Sequence, residues 1–406
     1  MKPRLDCVHF LGYKPCGQNS SCDLNCQQFQ KRGKQILLIH LGALGAVVRS
    51  TALISSIHRK YPNSQITWVT QNPAQHLLKN HPQLHRVLTV SETDLLALSV
   101  LSFDVAFVID KSLEASGVLK RTTAQEVYGY KANSFGVIEA VNQSAEELWH
   151  IGLSDHLKLK VNKKTELELL RTALELDNQN DDYNLPLTMS EKDIQYQRYS
   201  DWSLGGQKKV IGINTGCANV IKAKKLSVEN HRELIRMLQK NSNYTIVLLG
   251  GPEDTLRNNQ IADGMRGIIQ SETEKGLRDG LVSIAACDAV ITGDSLGMHM
   301  AISQKKQVIA WFGPTCSHEI ELYGRGQKII SQAACGPCWK RSCHKPVMCY
   351  DLVNLDEIIS ALKQQSKNQS ESRDSNGLFG RSVARGAAFD LDEEALSGAT
   401  LRIDLS

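Results

Sequence analysis

The sequence predicts an α/β chain made of two open, doubly wound parallel sheets. Three observations carry this. Short, continuous apolar runs followed by glycine read as strands buried on both faces. Segments with helical spacing alternate with those runs, as in βαβ units. The alternation stops over a polar stretch, residues 155–205, and then restarts, so the pattern occurs twice.

Residues 1–32 are polar and rich in cysteine. Residues 35–41 (QILLIHL) read as the first strand and Gly42 to Gly45 as a tight loop. Residues 46–61 place Val47, Val48, Leu53, Ile54 and Ile57 near helical spacing, and Pro62 ends that helix. Strands follow at 65–70, 86–90 and 103–110, with a helix at 73–80. Residues 155–205 hold a helical stretch at 166–176 and an Asn/Asp-rich break at 177–184, and read as an interdomain region. In the second half, strands fall at 209–214, 244–250, 289–293 and 307–312. Helices fall at 227–241, ending at 281–287, and at 295–304; Ser227 is a candidate N-cap. The expected units are a Cys-rich extension (1–32), a first Rossmann-like domain (33–195), a second (196–366) with a four-cysteine loop at 335–349, and a tail (367–406). The tail's Ser/Asn/Gly/Asp/Arg-rich composition reads as disordered, with a short helix near 392–396.

Composition narrows the function classes. With 406 residues, 41% hydrophobic and 22% charged, the chain is of ordinary globular make-up, and collagen-like or wholly disordered classes are excluded. Lys+Arg 47 against Asp+Glu 43 gives +4, too mild for a dedicated nucleic-acid binder. No run reaches the roughly 18 apolar residues of a membrane helix. Residues 1–10 are too polar for a signal peptide, so a cytoplasmic location is expected.

The chemistry lies in loops that follow strands. Gly42-Ala43-Leu44-Gly45 lacks the dinucleotide fingerprint, and no acidic residue ends the second strand, which argues against NAD. Gly293-Asp294-Ser295-Leu296-Gly297-Met298-His299 joins a buried strand to a helix. Amides of Ser295, Leu296 and Gly297 at a helix start suit an anion, and Asp294 can accept from sugar hydroxyls. An N-cap Asp294 and a core His299 are the ordinary alternative. Thr215-Gly216 and Lys222, Lys224 and Lys225 follow another strand; Gly250-Gly251-Pro252-Glu253 and Gly313-Pro314-Thr315 follow two more. Four such loops on one sheet edge indicate a pocket for a sugar joined to two phosphates.

Read in order, ILLIHLGALG, NTGCAN with KAKKLS, VLLGGPED, TGDSLGMHMA and VIAWFGPT resemble glycosyltransferase family nine, the lipopolysaccharide heptosyltransferases, over about residues 33–362. The resemblance implies the GT-B architecture, with an acceptor domain followed by a nucleotide-sugar domain, and inverting transfer of heptose, usually from ADP-heptose, without a catalytic divalent metal. It makes Lys224 the phosphate lysine, Glu253 the nucleoside acid and Asp294 the heptose ligand, with His299 completing the motif. In the family an Asp after the first loop is taken as the base. Here that position is Ala46, in the stretch Gly42, Gly45, Ala46. His40 and Asp110 are then the nearest candidate bases, with Lys111 beside Asp110 on the acceptor side. A binding module that has lost turnover, or another GT-B enzyme such as a nucleotide-sugar epimerase, are the alternatives. The expected partners are a nucleotide-sugar donor and an anionic glycolipid or saccharide acceptor, with peripheral contact at the inner face of a membrane.

Eleven cysteines are unusual for a reducing compartment, where clusters tend to bind metal. Cys335, Cys338, Cys343 and Cys349 offer four thiolates in one loop, matching tetrahedral iron or zinc. Some protein-modifying relatives of the family carry a similar C-terminal iron site. Cys7, Cys16, Cys22 and Cys26 are spaced more loosely, beside His9. Both clusters are expected to be structural and away from the cleft loops.

Overall fold

The computed structural model describes residues 3–364 apart from Leu11, Gln18 and Asn219; the tail at 367–406, with its helix near 392–396, lies outside the described residues. The first sheet comprises β1 (Gln35–Ile39), β2 (Gln65–Val69), β3 (Arg86–Leu88), β4 (Ser102–Val108), β5 (Thr123–Ala132) and β6 (Ile138–Ala140). Their order is β3-β2-β1-β4-β5-β6, parallel except for the β5–β6 pair. The second holds β7 (Lys209–Asn214), β8 (Tyr244–Leu249), β9 (Ile268–Gln270), β10 (Ala289–Gly293), β11 (Gln307–Phe312) and β12 (Gly326–Ile330), in the order β12-β11-β10-β7-β8-β9. All the strands read from the sequence are present. The four that it did not reveal, β5, β6, β9 and β12, lie toward the sheet edges with one face open, so they lack a continuous apolar run.

In both sheets the order turns back between the first and fourth strands of the half, β1/β4 and β7/β10. Connections leave in opposite directions there, which opens a crevice at the carboxyl ends. The loops after β1, β4, β7 and β10 border these two crevices.

The helix expected over 46–61 is broken into Leu44–Ser50 and Leu53–Lys60. Thr51 is the cause: its Oγ1 donates to Val48 O at 2.6 Å and accepts from Asn184 N at 2.9 Å. A hydroxyl that bonds back to the preceding turn bends a helix. The polar stretch 155–205 holds the helix expected near 166–176 and a second one that the sequence reading did not give. Capping boxes at Thr165/Glu168 and Thr188/Glu191 start helices Glu166–Ala173 and Met189–Trp202. The second helix runs unbroken across 195–196 and packs on helix Leu277–Ala285, where Arg198 reaches Asp279 Oδ1 at 2.5 Å.

The two halves touch. Helix Leu44–Ser50 packs on helix Leu296–Ser303, and one apolar cluster holds Val47 and Val48 together with Met298, Ala301 and Ile302. Burial of each larger side chain contributes about 1.5–3 kcal/mol, so this contact rests mainly on the hydrophobic effect.

Candidate functional site

The loops after β7 and β10 form one charged group. Lys224 Nζ lies 2.9 Å from Asp294 Oδ2, with both side chains largely buried. Burial pushes the Asp294 carboxyl up, but Lys224 outweighs it, with His299 and the neighbouring Thr315 adding to the effect; the group stays ionised, below the ordinary carboxylate range. Lys225 Nζ stands 3.5 Å from Asp254 Oδ1. The buried Cys217 thiol faces Lys225, Lys224, Asp254 and Asp294, which ties the two pairs into one cluster.

The turn chemistry fits this crowding. Ser295 caps helix Leu296–Ser303 by accepting from Met298 N, and its Oγ also accepts from Asn214 Nδ2 at 3.0 Å. A Cβ on Gly297 would sit 2.5 Å from Asn214 Oδ1, so glycine lets the loop after β7 close against the helix start. Gly216 lies against the Asp254 carboxylate in the same way. Leu296 is half-buried at the helix start. Glu253 is exposed on the turn Pro252–Asp254.

Thr215 is turned inward: its Oγ1 donates to Asn258 Oδ1 at 2.5 Å. Its hydroxyl is therefore occupied in the scaffold. His299 is 5% exposed and its ring stacks on Tyr183 at 5.9 Å between centroids. Burial, then the nearby Arg49 charge, pushes its pKa down to about 3, so the imidazole is neutral. In this closed arrangement it serves as a packing surface between the halves.

On the facing sheet edge, Asp110 follows β4. Its Oδ2 accepts from Leu41 N, and the Gly42 amide also bonds to it. Burial pushes this carboxyl up to about 6 against those two amides. His40 Nε2 lies 3.9 Å from Asp110 Oδ1, and burial holds His40 near 3. Gly42 is wedged beside both groups; a Cβ there would be 3.1 Å from each. Lys111 Nζ donates to Leu148 O at 2.6 Å and stands over the Tyr130 ring, and burial lowers its pKa to about 8. Ala46 sits half-buried in the first turn of helix Leu44–Ser50, which has no side-chain cap.

Several residues that the sequence did not single out join the two edges. Arg49 is 7% exposed, pairs with Glu166 Oε2 at 2.5 Å, and its charge reaches Glu319 and Asp294. Glu319 is pushed up to about 7, first by burial and then by Glu166. Lys158 Nζ stands 4.0 Å from Glu319 Oε1 and 3.9 Å from the Trp339 ring centroid. These contacts are long-range, and no local motif marks them.

The four-cysteine loop lies against the loops after β7 and β11, which corrects the expectation that both clusters avoid the cleft loops. Cys335, Cys338, Cys343 and Cys349 line a cavity of about 110 Å³ with Ala223, Gly313 and Pro314. Cys338 N and Trp339 N donate to Pro314 O at 2.9 and 2.8 Å, and Cys349 Sγ reaches Ala223 O at 3.8 Å. The donor set suits one thiophilic ion, and the shared cavity gathers it, with no three of these sulfurs within 4.8 Å of one another. Among the described residues, the His/Cys/Asp/Glu group whose ligand atoms all lie within 4.8 Å of one another is Cys316, His318 and Glu319. A hollow of about 740 Å³ elsewhere is lined by Tyr183 to Leu187 and Gln304 to Lys306 and includes none of Lys224, Lys225, Asp254 and Asp294.

The model of the family described as "Glycosyltransferase family 9 (heptosyltransferase)" matches residues 97–348. The chain is 24% identical over 298 residues to lipopolysaccharide heptosyltransferase 2 of Salmonella typhimurium, covering 69% of this chain and 83% of that protein. The same identity and coverage hold for lipopolysaccharide heptosyltransferase 2 of Escherichia coli. Its fold is similar to a family 9 glycosyltransferase from Veillonella parvula (TM-score 0.61, 16% identity, 82% of this chain and 96% of that one). It is also similar to E. coli ADP-heptose lipopolysaccharide heptosyltransferase II (TM-score 0.59, 19% identity, 82% and 99%).

Proposed function

The chain belongs to glycosyltransferase family 9, and from that premise we propose that it transfers a heptose from a nucleotide-diphosphate donor, ADP-heptose, to a saccharide hydroxyl of a lipopolysaccharide core or similar acceptor, with inversion. It is a transferase of GT-B architecture. The observation that carries the finer reading is the buried Lys224–Asp294 pair at the β7/β10 crevice, next to the helix whose His299 meets Gly45 of the other half.

In this reading Asp294 accepts hydrogen bonds from the donor sugar, and Glu253 accepts them from the nucleoside. As the bond from the anomeric carbon to phosphate breaks, its electron pair leaves on the diphosphate. Lys224, Lys225 and the amides at Ser295, Leu296 and Gly297 neutralise that charge. The acceptor oxygen bonds to the anomeric carbon from the opposite face, and its proton passes to a base. Ala46 has no group for this step. Asp110 does, and a carboxyl near 6 is largely ionised at neutral pH yet basic enough to take a proton. His40 is the weaker candidate, because a ring held near 3 is a poor base. Gly42 in the acceptor loop and Gly45 at the start of the following helix keep this edge thin, and Lys111 offers a cation to an anionic acceptor.

Cys335, Cys338, Cys343 and Cys349 would hold an iron or zinc ion, which would supply structural cross-linking there. No helix of the described residues is long and apolar enough to cross a membrane. We place the protein in the cytoplasm, meeting a lipid-linked acceptor peripherally at the inner face of the inner membrane; nucleic acid is not among its partners in this reading.

The test is incubation of purified protein with ADP-heptose and heptose-deficient lipopolysaccharide, with mass spectrometry of the glycan. Gain of one heptose supports the proposal. Titration with ADP-heptose that shows binding without transfer to any core acceptor would sink the acceptor assignment, and absence of binding would sink the donor assignment.

A further inference from the structure

The segment ahead of β1 has an unsolved stability problem. Within residues 3–32 the described structure contains no helix and no strand, only a bridge between Cys7 and Lys31. Cys7 is the one buried apolar side chain among its described residues. A piece of this size without a core does not hold one conformation by hydrophobic burial; below about 40 residues, disulfides, metals or association usually do that work.

The segment nevertheless converges on one point. Cys7, Cys16, Cys22 and Cys26 all line a single cavity of about 20 Å³, together with Arg4, His9 and Phe29. That volume suits one ion or one water. All four thiols are free, so no disulfide already accounts for the convergence. The backbone turn that carries Cys7 is pinned by the segment's last residue. Arg32 donates through Nε to Cys7 O at 2.8 Å and through Nη2 to Phe10 O at 3.0 Å. Arg4 stacks on Phe29 at 3.3 Å, and its charge faces Cys7 and Cys26.

We propose that Cys7, Cys16, Cys22 and Cys26 bind one zinc ion as four thiolates, tying the segment into a knot. Four soft sulfur donors around a small site select a tetrahedral thiophilic ion. Binding releases one proton from each thiol and leaves the site doubly negative, and Arg4 offsets half of that charge. The sulfurs are more spread than bound ligands would be, since no three of them fall within 4.8 Å of one another. Metal entry therefore draws the segment together, and ion binding and local ordering are one event.

The location sets the role. Arg32 leads directly into the start of β1, so the knot lies at the amino edge of the first sheet. Asp110 and Asp294 follow the carboxyl ends of β4 and β10. The ion is accordingly structural, and this inference stands independently of the proposed transfer reaction.

The test compares zinc and iron per chain, by elemental mass spectrometry, in the full-length protein, in Cys16→Ser/Cys22→Ser and in Cys338→Ser/Cys343→Ser. The first double variant should lose one equivalent of zinc that the second retains. Unchanged metal content in Cys16→Ser/Cys22→Ser overturns the proposal. Should that variant fail to fold, alkylation of the unmutated protein decides. Cys7, Cys16, Cys22 and Cys26 should resist iodoacetamide until a chelator is added. Equal labelling with and without chelator overturns the zinc knot.

Discussion

Gly45, in the first turn of helix Leu44–Ser50, lies directly on the His299 ring: a Cβ added at Gly45 would stand 2.5 Å from His299 Cδ2. The absence of a side chain at one position therefore sets how closely the two halves meet. His299 cannot yield freely, because its other side is stacked on Tyr183.

Gly45→Ala is expected to destabilise the closed contact by about 1–3 kcal/mol, the usual cost of overpacking a filled interior. Thermal denaturation would show a lowered midpoint, and kcat/KM should fall with it as the halves are held apart. A variant with unchanged stability and turnover would show that the contact is not maintained in solution.

Lys224→Ala should lower kcat/KM by about 10²–10³-fold, the usual loss when one donor to a developing anion is removed. It also leaves Asp294 buried without its cation. The carboxyl of Asp294, ionised in the parent through Lys224, would then shift upward, and the variant should lose stability as pH rises out of the ordinary carboxylate range. Stopped assays over a donor series, with denaturation at pH 4 and pH 7, check both effects.

Asp110→Asn should reduce kcat by about 10²–10⁴-fold, the range for loss of a general base. In the unaltered enzyme kcat/KM should fall as pH drops through about 6, where Asp110 takes up a proton, and the variant should lack that acid limb. The stability effect has the opposite sign to that of a salt-bridged carboxylate. Because the folded carboxyl lies above its unfolded value of 3.8, its contribution is lost as pH rises between about 4 and 6. At pH 8 the Asn variant should thus be at least as stable as the parent. Adding Ala46→Asp to Asp110→Asn should restore part of the rate; no recovery would argue that the first-loop position no longer faces the acceptor.

Cys338→Ser/Cys343→Ser should weaken donor binding by about 10–100-fold, the usual effect of losing groups that support a site from behind. The effect should appear mainly in the donor KM, because Pro314 O and Ala223 are the points of contact. An unchanged KM would separate the cysteine loop from the donor loops.

Much of this protein was legible from local pattern. Buried strands such as Ile36 to Ile39 and Ala289 to Ile291 are continuous apolar runs, and each run declares itself without reference to the rest of the chain. The loops at Gly42, Lys224, Glu253 and Asp294 could be placed because a loop's position at a strand end follows from chain order. Strands β5, β6, β9 and β12 and the break at Thr51 were not legible, since the strands lack a continuous apolar run and the break depends on a hydrogen bond to Asn184.

Which of those loops touch was decided by tertiary packing alone. The pairing of Lys224 with Asp294, the seating of His299 on Gly45 and the reach of Arg49 toward Glu166 and Glu319 each join residues far apart in sequence. Hydrophobic period carries one bit per residue, inside or outside, and so specifies elements and their buried faces. Ion pairing, a shifted carboxyl and a glycine contact depend on distances of a few ångströms between separate elements, and those distances exist only once both sheets have folded and closed on one another.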